Sequence, residues 1–214
     1  MSATFRLDRT RAALFDAEGR RFDPADRTWR AADAKVQDPN AFEVIDAVAA
    51  ATWLQRESGR PLRVPIGVIG PRDATAAQLE AALECGELLA RCGFVVICGG
   101  RHGVMQAVCE GVARVGGVSI GMLPDADPAL ANPFVNVVIA TGIGEARNAL
   151  IARAAFCLIA IGDSFGTLSE VALGRQFGKL VIGLEGAARI DGVQHLASAH
   201  AALTAIAEFV LGQR

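Results

Sequence analysis

Six short apolar runs, each leading into a helical period or a glycine turn, constrain this chain more than any other feature. They are Val64–Ile69, Phe94–Cys98, Val118–Met122, Val135–Ala140, Phe156–Ile161 and Leu180–Leu184. Runs of this length without polar alternation are the pattern of parallel strands buried on both faces. The best-marked helix between them starts at Thr75-Ala-Ala-Gln78, a capping box. Its apolar face runs through Leu79, Ala82, Leu83, Gly86 and Leu89, and Gly93 stops it. Further helical periods cover about 104–115, 145–154, 167–177 and 195–211. Alternation of this kind predicts a doubly wound, Rossmann-like α/β fold, with a parallel sheet and helices on both faces.

A second boundary lies near residue 63, where charge density changes. Residues 1–63 carry 21 charged side chains, 11 basic and 10 acidic, whereas residues 64–214 carry 23. The expected domains are therefore 1–63, an N-terminal extension, and 64–214, the ligand-binding domain. Within the extension, Ala12–Phe15, the turn Asp16-Ala-Glu-Gly19 and Arg20–Phe22 read as a hairpin. A helix is expected from Ala41 to Gln55, with Phe42, Ile45, Val48 and Ala49 on one face. The segment reads as too small to bury a core of its own.

Composition removes several function classes. The chain is 52% hydrophobic and 21% charged, enough apolar material for a large core, and its net charge is only −2. No general positive field exists to hold a nucleic acid, so no nucleic-acid partner is expected. No membrane is expected either, because apolar stretches such as Ala154–Gly162 fall short of the roughly 20 residues of a spanning helix. The N-terminus, MSATFRLDRTRAALF, lacks the apolar core of a signal peptide, which points to a cytoplasmic protein. The five cysteines, Cys85, Cys92, Cys98, Cys109 and Cys157, form no CxxC pair and lie in apolar runs. Neither disulfides nor a metal site are expected.

In open parallel sheets, ligands bind beyond the carboxyl ends of the strands. Four strands here end in glycine turns. Ile69-Gly70-Pro71-Arg72 offers a close backbone approach at Gly70 and a cation at Arg72. Cys98-Gly99-Gly100-Arg101-His102-Gly103 feeds into a helix, whose exposed amides favour an anion. It is not G-x-G-x-x-G, and no acidic residue ends the next strand to hold a ribose, which disfavours an NAD-type site. Thr141-Gly142-Ile-Gly-Glu-Ala-Arg147-Asn148 puts an arginine at a helix start, against the dipole, a position that suits an Arg aimed into a cleft. Gly162-Asp163-Ser164-Phe-Gly166-Thr167-Leu-Ser-Glu170 opens another helix. There Thr167 reads as N-cap and Glu170 as its capping-box partner, a role compatible with ligand binding.

These motifs, GG-x-x-G-V-M, T-G-x-G-E-A-R-N and G-T-L-S-E, resemble in order and spacing those of the Lonely Guy superfamily, whose members once carried the name "possible lysine decarboxylase". The likeness covers about Val64 to Leu211, and is greatest to the branch of molybdenum cofactor carrier proteins. Lonely Guy enzymes are nucleoside 5′-monophosphate phosphoribohydrolases, which cleave the N-glycosidic bond. Their P-G-G-x-G-T-x-x-E loop holds the phosphate and supplies a glutamate, and an arginine of an M-H-x-R-K motif assists. Glu170, Gly166, Thr167 and Arg147 match these positions. Gly162-Asp163-Ser164 replaces Pro-Gly-Gly, Asn148 replaces the lysine, and Gly144-Glu145 replaces Met-His.

The resemblance implies two activities. One is a carrier or sensor that binds a small anionic, nucleotide-like ligand at the carboxyl edge of the sheet, a nucleotide or a molybdopterin-type cofactor. The other is the phosphoribohydrolase, with Glu170 and Arg147 as catalytic residues. Nothing resembles a pyridoxal-phosphate lysine site, no cofactor is required, and a homodimer or homotetramer is implied. The expected ligand residues are Gly70, Arg72, Gly99, Gly100, Gly103, Thr141, Gly142, Arg147, Asn148, Gly162, Ser164, Gly166, Thr167 and Glu170.

Overall fold

The computed structural model describes residues 4–32 and 42–213, which divide into two compact units, Met1–Leu62 with Leu203–Arg214, and Arg63–Ala202. In the first unit β1 (Thr4–Asp8), β2 (Ala13–Phe15), β3 (Arg21–Asp23), β4 (Thr28–Arg30) and β5 (Glu43–Asp46) form an antiparallel sheet. The strand order is β4-β3-β2-β1-β5. The hairpin read from the sequence is β2 and β3. Its turn is held by the buried Asp16, whose carboxylate accepts from the Arg20 amide at 2.7 Å and from Arg20 Nε at 2.6 Å. Helix α1 (Ala47–Arg56) is shorter than expected. Residues 43–46 are strand, Asp46 caps the helix by accepting from Ala49 N at 2.8 Å, and the expected start at Ala41 lies outside the described residues.

Residues of the extension are buried in a core that the extension shares with the end of the chain. Phe5, Leu7, Leu14, Phe22, Trp53 and Leu54 are all within 3% of full burial. Phe5 stacks on Trp29 at 5.6 Å between ring centroids, and the Trp29 indole donates to the Leu211 carbonyl at 2.6 Å. The chain's last residues thus add to this unit the apolar surface that 62 residues lacked.

The second unit is the predicted parallel sheet. Its elements are β6 (Ile66–Ile69), α2 (Ala76–Cys92), β7 (Val96–Cys98), α3 (Val104–Arg114), β8 (Ser119–Leu123), β9 (Val137–Ala140), α4 (Asn148–Ala154), β10 (Leu158–Ile161), α5 (Phe165–Gln176), β11 (Val181–Leu184) and β12 (Val193–His195). Helix α6 (Ala199–Val210) follows. The sheet order is β12-β11-β10-β6-β7-β8-β9, every pairing parallel. The first strand, β6, is central, and the winding reverses between it and β10. That reversal opens the crevice in which such sheets bind ligands.

Local signals held where they were strong. Thr75 and Gln78 make the reciprocal capping box, with Thr75 Oγ1 accepting at 3.3 Å and Gln78 Oε1 accepting at 3.0 Å. Gly93 ends α2 in the left-handed conformation. Three expectations need correction. Val137, Val138 and Ile139 of β9 are exposed rather than buried, because β9 is the sheet's edge. Residues 193–195 form strand β12, so the last helix begins only at Ala199. Helix α5 begins at Phe165, not Thr167. Its N-cap is Ser164, whose hydroxyl accepts from Thr167 N at 3.1 Å, so Thr167 and Glu170 form no capping box.

Candidate functional site

A cleft of about 470 Å³ lies at the carboxyl edge of the sheet, where β6, β7 and β10 end. Gly70 follows β6, and a Cβ there would sit 2.6 Å from both the Ile161 carbonyl oxygen and Val104 Cγ1. Only glycine lets the turn run this close to the neighbouring strand end. Gly99 follows β7, and its missing side chain makes room for an arginine. A Cβ at 99 would stand 2.6 Å from Arg147 Nη2 and from Met105 Sδ.

Arg147 closes a 3-10 turn, Gly144–Arg147, that leads into α4. Its side chain is buried, at 4% residue exposure, and Nη1 donates to Asn148 Oδ1 and to Glu170 Oε1, the latter at 3.4 Å. Nε has no hydrogen-bond partner. Asn148 is held in turn, Nδ2 donating to Ser169 Oγ at 2.9 Å and to the Gly166 carbonyl at 3.4 Å. The amides of Phe165 and Gly166, in the first turn of α5, have no intrahelical acceptor, since Ser164 satisfies only that of Thr167.

Glu170 is as buried as its partner. Burial pushes its carboxyl up to about 8, Arg147 pulls it back less strongly, and Glu145 adds to the rise. Near neutral pH the floor of the cleft therefore holds an arginine charge that its neighbouring carboxyl does not fully cancel. A buried cation with an unpartnered donor favours an anion beside it.

The raised value has a measurable consequence. The unfolded chain releases this proton near 4.5, whereas the folded protein keeps it until about 8. Between those values the folded state binds more protons, so stability falls as pH rises. Glu170→Gln cannot ionise and is expected to flatten this part of the profile, with melting temperatures at pH 5 to 8.5 as the measurement. An unaltered slope would mean that Glu170 ionises normally.

The cleft brings together Gly70, Arg72, Gly99, Arg147, Asn148, Ser164, Gly166, Thr167 and Glu170, residues separated by up to a hundred positions in the sequence. Asp163 also lines it, on the exposed rim. Five expected residues lie elsewhere. Gly100 takes φ +72° and packs on Gly121, and its carbonyl accepts from the Asn132 amide at 2.9 Å. A Cβ at Gly103 would meet the Arg72 carbonyl oxygen at 2.3 Å, so this glycine packs two turns together. Thr141 Oγ1 donates to the Leu123 carbonyl at 2.7 Å, and the Gly142 amide donates to that of Asp125 at 3.1 Å. Gly162 packs against the Gln78 side chain.

Sequence reasoning missed Asp73, Met105, Glu145 and Phe165, which also line the cleft. Glu145 pairs with Arg72 at 3.4 Å, both side chains largely exposed. Among the described residues no group of three or more His, Cys, Asp or Glu side chains is placed to hold a metal ion, and no helix is long and apolar enough to cross a membrane.

The SLOG cluster4 family model matches residues 63–208, which include every residue lining the cleft. The chain belongs to the SLOG cluster4 family. A relative, an uncharacterised protein of Archaeoglobus fulgidus, is 38% identical over 129 residues, 60% of this chain and 85% of its own length. Among solved structures, the molybdenum cofactor binding protein of Rippkaea orientalis superposes with a TM-score of 0.66 at 33% identity, covering 70% of this chain and 99% of that one. The molybdenum cofactor carrier protein of Chlamydomonas reinhardtii gives 0.63 at 31% identity, with the same coverage. The family and the carrier-protein branch indicated by the motifs are therefore those of this chain. The N-terminal sheet falls outside the region matched by the family model.

Proposed function

We propose that the cleft binds a small anionic ligand with a nucleotide-like or pterin ring, a molybdopterin-type cofactor foremost, and that the protein is its carrier or sensor. The observation that carries this reading is the buried Arg147, with Nε unpartnered and a neighbour that burial keeps largely protonated at neutral pH. Gly70 and Gly99 let the turns of the cleft run close to the neighbouring strand end and to Arg147, and the space over Gly166 is open to a phosphate or comparable anion. Arg147, Asn148 and the first amides of α5 are the groups that would hold such an anion. The likeness to two proteins named for the molybdenum cofactor favours that ligand class over others.

The second reading, a phosphoribohydrolase, is favoured by one feature. A carboxyl raised to about 8 is suited to protonate a departing base. Against it stands Asp163 at the rim, a negative charge where the enzymes have glycine. One assay separates the two. Incubation with AMP and GMP is expected to release no free base, while molybdenum cofactor added to the protein is expected to raise its melting temperature. Base release that Glu170→Gln abolishes would make the protein a hydrolase and overturn the carrier reading.

Self-association, as a homodimer or homotetramer, belongs to the same proposal. Its support is the exposed apolar edge strand β9, continued by Ile143 and Leu150.

A further inference from the structure

Phe165 is the most exposed large apolar side chain among the described residues, at 94%. It is the first residue of α5 and lies on the wall of the cleft, between Ser164, the N-cap, and Gly166. Water disfavours an aromatic ring left open to this degree. The backbone beside it is bare. A Cβ built at Gly166 would find nothing nearer than Ser164 Oγ at 3.8 Å and Asn148 Nδ2 at 3.9 Å. An open space therefore lies next to an uncovered aromatic ring, in the same cleft as the buried Arg147.

We propose that Phe165 is the specificity-determining residue of this cleft, stacking on the planar heterocycle of a ligand whose anionic group is held at Arg147. The inference rests on the reading of the cleft as an anion site and adds what that reading lacks, a reason to prefer a ring-bearing ligand over a bare phosphate ester. Every purine and pterin has a π-face, so the contact selects for a flat ring while tolerating its substituents. The Phe165 side chain, unlike its backbone amide, supplies no charge and no hydrogen bond. Its contribution is separable from that of Arg147.

Guanosine 5′-monophosphate and ribose 5-phosphate separate the two contributions, because they share the phosphate and sugar and only the first has a ring. The guanine ring also contains the 2-amino-4-oxopyrimidine portion of a pterin. Calorimetric titration of the unchanged protein is expected to give tighter binding of GMP than of ribose 5-phosphate. Phe165→Ala is expected to weaken GMP roughly tenfold and to leave ribose 5-phosphate unchanged. Phe165→Trp is expected to retain the preference, and GMP should quench the fluorescence that the new indole adds. If ribose 5-phosphate binds but the ring adds nothing, or Phe165→Ala weakens both ligands equally, Phe165 is not a stacking residue and the anion site stands. A change in molar mass of Phe165→Ala by light scattering, with GMP affinity intact, would assign the ring to a subunit contact and overturn the proposal. Binding of neither compound to the unchanged protein would remove the anion site itself, and this inference with it.

Discussion

Replacing Arg147 by alanine is expected to remove most of the rise in melting temperature that GMP produces in the unchanged protein. On the proposed reading, Arg147 offers an anion a full charge from a buried position in the cleft lining, where its Nε has no partner of its own. Hydrogen bonds to charged groups contribute about 1.5–3 kcal/mol each. Loss of one such contact near the top of that range weakens binding by on the order of 100-fold. At a ligand concentration of about 100 Kd, binding stabilises the folded state by about 2.7 kcal/mol. After a 100-fold loss of affinity, the same concentration contributes only about 0.4 kcal/mol. Arg147→Lys keeps the charge without the planar fork and is expected to fall between the two. Glu170, left without its cation, is pushed further toward the neutral acid, so the alanine variant does not strand a buried negative charge. A GMP-induced shift in the alanine variant as large as in the unchanged protein would show that the anion binds elsewhere.

Gly86→Ala and Gly111→Ala are expected to destabilise the fold strongly, against the direction that helix propensity predicts. Both glycines lie inside long helices, where alanine normally adds about 0.5–1 kcal/mol of stability. Here α2 and α3 cross with their backbones in near contact. A Cβ at Gly86 would stand 2.2 Å from the Val108 carbonyl oxygen, and one at Gly111 would stand 2.0 Å from that of Leu83. No side-chain rotation relieves a clash with backbone, so the helices must separate along their contact. Overpacking of this kind costs about 1–3 kcal/mol and occasionally more. We expect roughly 3 kcal/mol for either variant, read as a lower urea midpoint at constant slope. Stabilisation instead would mean that the crossing is looser than the structure describes.

The same two glycines mark how far the sequence could be read. Gly86 was legible as part of the apolar face of α2, because that face depends only on spacing along one helix. Its partner across the crossing, Gly111, carries no local signal, since what forbids a side chain there is the backbone of another helix. The site divides in the same way. Glycine turns at strand ends pointed to Gly70, Gly99 and Gly166, which line the cleft, and equally to Gly100, Gly103, Gly142 and Gly162, which do not. A glycine needed for a left-handed turn or a close backbone approach looks the same in sequence as one that makes room for a ligand. Phe165 carries no signal in the sequence, where the helix reads as starting at Thr167 and leaves it an unassigned loop residue; only its place in the first turn of α5 and its 94% exposure single it out.

The alternation of strands and helices in residues 64–184, the capping box at Thr75 and the stop at Gly93 were all legible in the sequence, because these depend on contacts within a few residues of one another. The sequence also contained the arginine, the glutamate and the glycine turns of the cleft, in the order that places the chain in its family. The tertiary structure decided the rest. Strand order put β6 at the centre and β9 at the edge, so two runs of the same apolar character ended with opposite exposure. Short strands such as β4 and β12 exist only through their pairing partners, three residues being too few for a period to declare itself. The meeting of Arg147 with Glu170 was also settled by the fold. A pair 23 positions apart, joined through the crossing of two chain segments at a strand end, acquires its raised carboxyl only when packing removes water from both.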